Sequence, residues 1–202
     1  IGDSYVNSGK LYCDNYDHIT AAKLAAEAMA NAIDGKGKIA ILAGTAGAMN
    51  TNQRTQGFVD YMQANCPDIE IVNTINVDWD QILAMSTTED LLASNPDLAG
   101  VYAMGEDMMV GAVEAIKDAG ASTKVVGIDA STKIVQMVLD GDIAAVVNCR
   151  PSAAASGCVI MKRLMNGEPI DNIDGIVVEG IVYGEAPVCF TKDNASLDQV
   201  DY

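Results

Sequence analysis

Short apolar runs rich in valine, isoleucine and alanine alternate along the chain with longer stretches in which apolar residues recur every three or four positions. The short runs are typical of buried strands, and the longer stretches are typical of amphipathic helices. A first helix is predicted over residues 19–33, capped by Asp17 or Thr20 and ended at Asp34 and Gly35. Four βα units and a fifth strand follow: strands over residues 38–43, 69–75, 100–103, 124–128 and 143–148, and helices over 51–64, 79–94, 107–118 and 132–139.

This regular alternation predicts an α/β fold with an open parallel sheet flanked by helices, which is a Rossmann-like arrangement. After the fifth strand Pro151 breaks the pattern, and a further helix is predicted near residues 152–165. Looser β-like stretches cover 176–183 and 188–191. The chain opens on the letters IGDSY, which read as the end of a strand, so we expect it to begin inside a larger structure.

Composition supports a globular chain, because half of the residues are hydrophobic and only a fifth are charged. The formal net charge is −16, with 12 basic against 28 acidic residues. Such a charge repels phosphate backbones, so nucleic acid is not expected as a partner. No apolar run reaches the roughly 20 residues that span a bilayer. The protein is therefore either cytosolic or exported by a signal that precedes this sequence.

Cysteine and histidine usage argues against metal and acid–base chemistry. The five cysteines are odd in number and contain no CxxC pair, so they predict neither a zinc site nor a disulfide framework. The single histidine, His18, stands beside an acidic helix start, which predicts a solvated or capping role. The loop at 44–47 is glycine-rich but lacks the nucleotide-binding motifs. We expect no metal and no cofactor. An α/β enzyme, flavodoxin-like or related, is disfavoured because no nucleophile and base are paired.

Polar side chains follow the predicted strands at the edge where ligands bind in open α/β sheets. They include Thr45, Arg54, Trp79, Glu106 and Asp129. The whole set comprises Thr45, Asn50, Arg54, residues 78–80, residues 105–107, Asp129 and residues 148–150. Guanidinium and carboxylate groups bond adjacent hydroxyls in pairs, and an indole covers the C–H face of a sugar ring. The set predicts a neutral, polyhydroxylated small-molecule ligand.

Three of these residues also have ordinary structural interpretations. Arg54 fits a surface arginine paired with a carboxylate, and Trp79 fits a cap on a hydrophobic seam between helix and sheet. Asp129, close before Ser131 and Thr132, fits a cap for the next helix. The sequence leaves these alternatives open.

The order of the motifs resembles that of the sugar-binding type I periplasmic substrate-binding proteins, the ribose- and galactose-binding group of ABC importers. The motifs that carry the resemblance are DNY at 14–16, GTAG at 44–47, RTQGF at 54–58, DWD at 78–80, EDMMVGA at 106–112 and VGID at 126–129. They span nearly the whole chain. The resemblance implies a protein that binds a sugar-like ligand without chemistry, between two lobes that close by hinge motion.

The resemblance also implies a division of the chain. Residues 1–13 are then a remnant of the first lobe, 14–149 the second lobe, 150–172 a first-lobe helix segment, and 173–202 the last crossing and the tail. Most of the first lobe is then absent. The helix at 152–165 thereby lacks the sheet that covers its apolar face, which predicts a homodimer through this helix.

Site roles follow from the same resemblance. Arg54 and Asp129 match the family's sugar-bonding arginine and aspartate, and Trp79 matches its stacking aromatic. Asp3 matches an aspartate at the end of the first lobe's last strand. Cys13 and Cys149 lie at crossings between the lobes.

Two positions depart from the ribose-binding pattern. Gly105 replaces an asparagine and Cys149 replaces a glutamine, so the site loses two hydrogen-bonding side chains and ribose is not expected. The resemblance further implies an ABC permease as partner and an extracytoplasmic location, anchored as a lipoprotein in the full-length protein. The effector-binding core of a LacI-type transcriptional regulator shares the fold and remains the alternative.

Overall fold

A computed structural model describes most of the region between residues 14 and 199. The described residues are 14–15, 17–149, 162–163, 165–168, 176–178, 181–183 and 186–199. Asp3 and Cys13 lie outside them, as do residues 152–161 and the predicted boundaries at 13, 150 and 172. The predicted homodimer helix is therefore almost entirely outside the described residues. None of the helices in the described part is long and apolar enough to cross a membrane.

The described residues contain nine strands and five helices with both ends defined, and residues 162–163 and 165 are also helical. The strands are β1 (Asp14–Asn15), β2 (Gly37–Ala43), β3 (Ile69–Asn76), β4 (Leu98–Ala103), β5 (Lys124–Ile128), β6 (Ala145–Asn148), β7 (Ile176–Val178), β8 (Ile181–Tyr183) and β9 (Val188–Thr191). The helices are α1 (His18–Ala32), α2 (Met49–Asn65), α3 (Gln81–Ser94), α4 (Glu106–Asp118) and α5 (Thr132–Asp140). A short 3₁₀ helix covers Leu197–Gln199.

The main sheet has six strands in the order β3-β2-β4-β5-β6-β9. The first five are parallel, and β9 adds to the edge antiparallel to β6. Strands β2, β4, β5 and β6 are buried along nearly their whole length, as expected when helices cover both faces. Helices α1 and α2 pack together on one face, and α3 packs on α4 on the other. The predicted α/β fold with an open parallel sheet flanked by helices is confirmed, except that the edge strand β9 is antiparallel.

Strand order places a topological switch point between β2 and β4. The chain leaves β2 toward β3 on one side and returns to β4 on the other. Loops after these two strands therefore diverge and leave a crevice at the carboxyl edge of the sheet. This crevice lies between Gly44, which follows β2, and Gly105, which follows β4.

Two of the predicted β stretches differ from the structure. The β-like stretch at 176–183 is two strands, β7 and β8, which pair antiparallel. Strand β8 also pairs parallel with β1, so these three strands form a second, smaller sheet. The fifth strand of the main sheet begins at Ala145 rather than at residue 143. Residues 141–144 instead turn the chain after α5, and Gly141 ends that helix with φ of 89°.

Helices α3 and α4 approach each other closely at Gly111. A Cβ atom on Gly111 would lie 2.2 Å from the carbonyl oxygen of Gln81 and 2.9 Å from the amide nitrogen of Met85. Only glycine allows the two backbones to come this close. Because α3 follows Trp79 and α4 follows Gly105, this contact holds the loops on both sides of the crevice in register.

We predict that Gly111→Ala destabilises the protein although alanine is the better helix former. Helix propensity alone favours alanine by about 1 kcal/mol. The clash with the α3 backbone should reverse the sign and cost about 1–3 kcal/mol net. Urea unfolding measures the change, with Asp118→Ala on the exposed side of α4 as the matched control. A more stable Gly111→Ala protein would contradict the close packing.

Candidate functional site

The loop between β3 and α3 lies across the crevice and is tied to the end of β2. The amide of Val77 donates to the carbonyl oxygen of Ala43 at 2.8 Å, and the side-chain amide of Asn76 donates to the carbonyl oxygen of Gly44 at 2.6 Å. These bonds extend the strand pairing one step past the sheet. They therefore fix where the following residues, including Trp79, enter the site.

A tight turn with unusual backbone angles presents Trp79. Asp78 and Trp79 have φ of 48° and 64°, and the amide of Asp80 donates to the carbonyl oxygen of Val77 at 2.8 Å. Positive φ at both central residues is typical of a type I′ turn, and for a bulky residue such as tryptophan it is strained. Such strain concentrates at functional sites.

The turn also corrects the predicted start of α3. The helix begins at Gln81 rather than at Trp79, because the two preceding residues have left-handed backbone angles. Asp80 caps the helix, and its carboxylate accepts from the amide of Leu83 at 2.7 Å.

The indole of Trp79 covers the crevice itself. A Cβ atom on Gly44 would lie 2.0 Å from the indole, and one on Gly105 would lie 3.1 Å from it. The ring therefore rests on bare backbone at the ends of β2 and β4. It is half-buried, so it both packs on the sheet edge, as the seam interpretation expects, and offers a surface to a ligand.

Arg54 lies beneath this ring and is only 3% exposed. Its guanidinium donates to the two carboxylate oxygens of Asp129 at 3.0 and 3.2 Å and to the carbonyl oxygen of Met104. Its Cζ lies 5.9 Å from the centre of the Trp79 ring, within the range of a cation–π contact. The alternative of a surface arginine is wrong in its burial and right in its pairing with a carboxylate.

The electrostatics of the pair keep Arg54 charged. Burial alone lowers the pKa of Arg54, but the charge of Asp129 and its hydrogen bonds raise that pKa above its ordinary value. Asp129 has φ of 78°, and its amide donates to the carbonyl oxygen of Val147 at 2.9 Å. Aspartate tolerates this left-handed angle better than most residues. The cap for α5 is Ser131, whose hydroxyl accepts from the amide of Ile134 at 3.3 Å, so the capping interpretation of Asp129 is wrong.

The remaining candidates lie around this centre with different roles. Glu106 is half-buried at the start of α4 and accepts from the Ser131 hydroxyl at 2.7 Å, which links the loops after β4 and β5. Cys149 is buried directly after β6. Thr45 is exposed, and its carbonyl oxygen accepts from the amide of Ala48 at 3.2 Å. Thr45 lies outside the Arg54 network within the described residues.

His18 is the site residue that sequence reasoning placed wrongly. It is 1% exposed, and its Nδ1 accepts from the Nε of Arg54 at 3.3 Å. The cap of α1 is Asp17, whose carboxylate accepts from the amide of Thr20 at 2.9 Å. A solvated or capping His18 is therefore wrong. The signal was present: His18 precedes Ala21, Ala22 and Ala25 at the spacing of the buried face of α1.

Gly57 explains how His18 reaches Arg54. A Cβ atom on Gly57 would lie 2.6 Å from the carbonyl oxygen of Ile19 and 3.1 Å from the Ile19 Cα. The first turn of α1 therefore lies directly on α2 at Gly57. Gly57 is three residues after Arg54, on the same side of α2, so this contact brings the imidazole beside the guanidinium.

The imidazole is held in its neutral form. Burial, followed by the charge of Arg54, lowers the pKa of His18 to about 4, while the carboxylates of Asp129 and Asp17 oppose the shift. Within the described residues no group of three or more histidine, cysteine, aspartate or glutamate side chains is placed to hold a metal ion. The site supplies a fixed cation at Arg54, a carboxylate at Asp129 that is bonded to it, and an aromatic surface at Trp79.

Comparison with known proteins finds a family and a consistent group of relatives. Residues 2–169 match the family model described as periplasmic binding protein domain. The ribose import binding protein of Haemophilus influenzae is 28% identical over 156 residues, which are 77% of this chain and 53% of that protein. The xylitol-binding protein of Mycolicibacterium smegmatis is 28% identical over 184 residues, 90% of this chain and 50% of that protein.

A solved structure also resembles the chain. An ABC transporter periplasmic solute-binding protein from Actinobacillus succinogenes, with bound D-allose, superposes with a TM-score of 0.83 at 27% identity. The match covers 91% of this chain and 62% of that one. The chain spans about half the length of the curated relatives it matches.

We predict that Asp129→Asn destabilises the protein by about 1–2 kcal/mol, because it leaves the buried charge of Arg54 without its counter-ion. The cost is moderated since the Asp129 side chain is 42% exposed. Urea unfolding of the variant checks this. Asp97→Asn, which breaks the exposed pair with Lys38 at 3.0 Å, is the control and should cost clearly less, because solvent screens that pair. Equal costs for the two variants would refute the buried pair.

We also predict an acid-sensitive stability that depends on His18. The folded protein keeps His18 neutral down to about pH 4, whereas the unfolded chain protonates it below about 6.5. Stability from this residue is therefore fully present above pH 6.5 and is lost as pH falls toward 4. The loss at pH 4.5 should be roughly 2–3 kcal/mol.

The measurement is urea unfolding of the wild type and His18→Asn between pH 7.5 and 4.5. The acid loss of the variant, which cannot protonate at this position, should be smaller by that amount. Carboxylates titrate in both proteins and cancel in the comparison. Identical pH profiles would show that His18 is not held neutral.

Proposed function

Because the chain belongs to the periplasmic binding protein family, we propose that it forms part of a solute-binding protein that holds a sugar-like molecule without altering it. The observation that carries the proposal is the Arg54–Asp129 pair under the Trp79 indole at the switch point of the sheet. Each of these groups has a defined part in binding a polyhydroxylated ring.

Arg54 and Asp129 provide directed hydrogen bonds. Asp129 donates none and has lone pairs left after its two bonds to Arg54, so its exposed side accepts from ligand hydroxyls. The planar guanidinium is fixed on three sides before a ligand arrives, by Asp129, Met104 and His18. A preformed site of this kind loses little side-chain entropy on binding.

Charge balance at the site favours a neutral ligand. The positive charge of Arg54 is already compensated by Asp129 at 3.0 Å, so a second anion would compete with that carboxylate. The whole chain carries −16, which also opposes anionic ligands. Sugars and polyols meet both conditions, and the relatives named above bind ribose, xylitol and D-allose.

Gly105 and Trp79 shape the ligand preference. The indole lies against Gly105, so this part of the crevice offers an apolar surface and no side-chain hydrogen bond. A hydroxyl that pointed there would be desolvated without a partner, which is costly. We therefore propose a solute other than ribose, with a C–H face toward the indole.

The wider assembly is proposed on the same premise. The ligand is enclosed between the described α/β unit and a second lobe of the full-length protein, which closes by hinge motion. The protein delivers the solute to an ABC permease from an extracytoplasmic location, anchored as a lipoprotein. The two relatives named above are a ribose import binding protein and a xylitol-binding protein, which favours this proposal over the regulator and enzyme alternatives.

The test is a thermal-shift screen of the full-length protein against pentoses, hexoses, polyols, disaccharides and nucleosides. We expect one solute class to raise the unfolding midpoint, since a ligand that binds only the folded state stabilises it. A change in tryptophan fluorescence that disappears in Trp79→Phe would report binding at the site directly.

The matched variants separate the site from the rest of the molecule. Asp129→Ala should abolish the shift, while Asp97→Asn on the protein surface should keep it. No shift with any solute, or a shift that survives Asp129→Ala, would reject the proposed site.

A further inference from the structure

His18 is a buried polar group of the site to which the proposed function assigns no contact with the ligand. The two terminal nitrogens of Arg54 donate to Asp129 at one end of the guanidinium. Its Nε faces α1 instead. Nε donates to the Nδ1 of His18 at 3.3 Å. The imidazole is therefore the partner that fixes the end of the guanidinium nearest the helix.

We propose that His18 is a positioning residue, which orients the Arg54 guanidinium so that it meets both Asp129 and a bound solute. The inference rests on the proposed function for its ligand, and on the Arg54 contacts for its geometry. His18 contacts the Nε edge of the guanidinium and is itself 1% exposed, so it acts on the ligand through Arg54.

Three observations support this role. First, the contact depends on the packing of α1 on α2: a Cβ atom on Gly57 would lie 2.6 Å from the carbonyl oxygen of Ile19 in the first turn of α1. Second, Asp17 caps α1 directly before His18, which fixes the backbone from which the imidazole projects. Third, only an unprotonated Nδ1 accepts a hydrogen bond from the arginine, so the imidazole carries its proton on Nε2.

An apolar side chain at position 18 would leave Nε–H of Arg54 buried without an acceptor. The guanidinium would then rotate about its last bonds to recover a partner. Its two bonds to Asp129 at 3.0 and 3.2 Å depend on a parallel alignment of two planar groups, so this rotation would break them. A small displacement of a binding group is enough to weaken a preorganised site.

Side-chain NMR allows a test that needs no ligand. In the full-length protein, the imidazole signal that is absent from His18→Asn and the Nε–H signal that is absent from Arg54→Lys identify the two groups. At pH 7 we expect the His18 imidazole to be neutral with Nδ1 unprotonated, and the Arg54 Nε–H to be protected from exchange. The charged groups that face His18 are Arg54 from α2, Asp129 from the loop after β5, and Asp17 before α1.

The variants are His18→Leu, which removes the acceptor, and His18→Asn, whose side-chain oxygen replaces Nδ1. Protection of the arginine Nε–H should disappear in His18→Leu and return in His18→Asn. Met29→Leu, a buried change in the core at the other end of α1, is the control and should leave the signal unchanged.

The second arm measures affinity in the full-length protein by calorimetry, with D-allose, D-ribose and xylitol as probes. His18→Leu should weaken binding of the active probe about tenfold, and His18→Asn should restore it to within about threefold of the wild type. A Nδ1-protonated imidazole, an unchanged Nε–H signal in His18→Leu, or equal affinities in both variants would overturn the inference.

The two arms distinguish the possible failures. If no probe binds the wild type, the proposed function loses its support for these solutes while the NMR arm still decides the role of His18. If the wild type binds and both variants match it, the proposed function stands and the positioning role is rejected. Should His18→Leu fail to fold, the tautomer of the wild type and the His18→Asn signal remain decisive.

Discussion

The buried charge of Arg54 is the constraint on which the site depends. A guanidinium that is 3% exposed must be surrounded by acceptors, and the fold supplies three kinds: a carboxylate, a backbone carbonyl and an imidazole. They come from the loop after β5, the end of β4 and the start of α1. One side chain therefore joins three separate parts of the chain at the carboxyl edge of the sheet, next to the loop that presents Trp79.

Glycines make the approach of these parts possible. Gly57 brings α1 onto α2, Gly111 brings α3 onto α4, and Gly44 accepts the indole on bare backbone. Each lies where a Cβ atom would collide with a neighbour, so the packing of the helices and the geometry of the site rest on the same residues. The unusual backbone angles of Asp78, Trp79 and Asp129 occur within this framework, which holds them in place.

Local sequence patterns were sufficient for the elements and insufficient for their contacts. The β-branched runs and the helical spacing placed the strands of the main sheet and their helices to within a few residues, because these signals depend on near neighbours. The antiparallel pairing of β9 with β6 joins Phe190 to Val146, two residues far apart in sequence. Nothing local predicts such a pairing.

The site shows the same division. Arg54, Trp79 and Asp129 were predicted because polar residues after strands meet at one edge, and the structure brings the three together. His18 was misplaced because its acidic neighbour suggested solvent, whereas its position on the apolar face of α1 decides its burial. The late start of α3 at Gln81 follows from a backbone turn that residue preferences oppose.

The most direct test of the account is a crystal structure of the full-length protein with the solute that stabilises it. We predict a ring whose C–H face lies on the Trp79 indole and whose hydroxyls lie within hydrogen-bond distance of Arg54 and Asp129. A solute bound elsewhere, or one that displaces Asp129 from Arg54, would contradict the central claim.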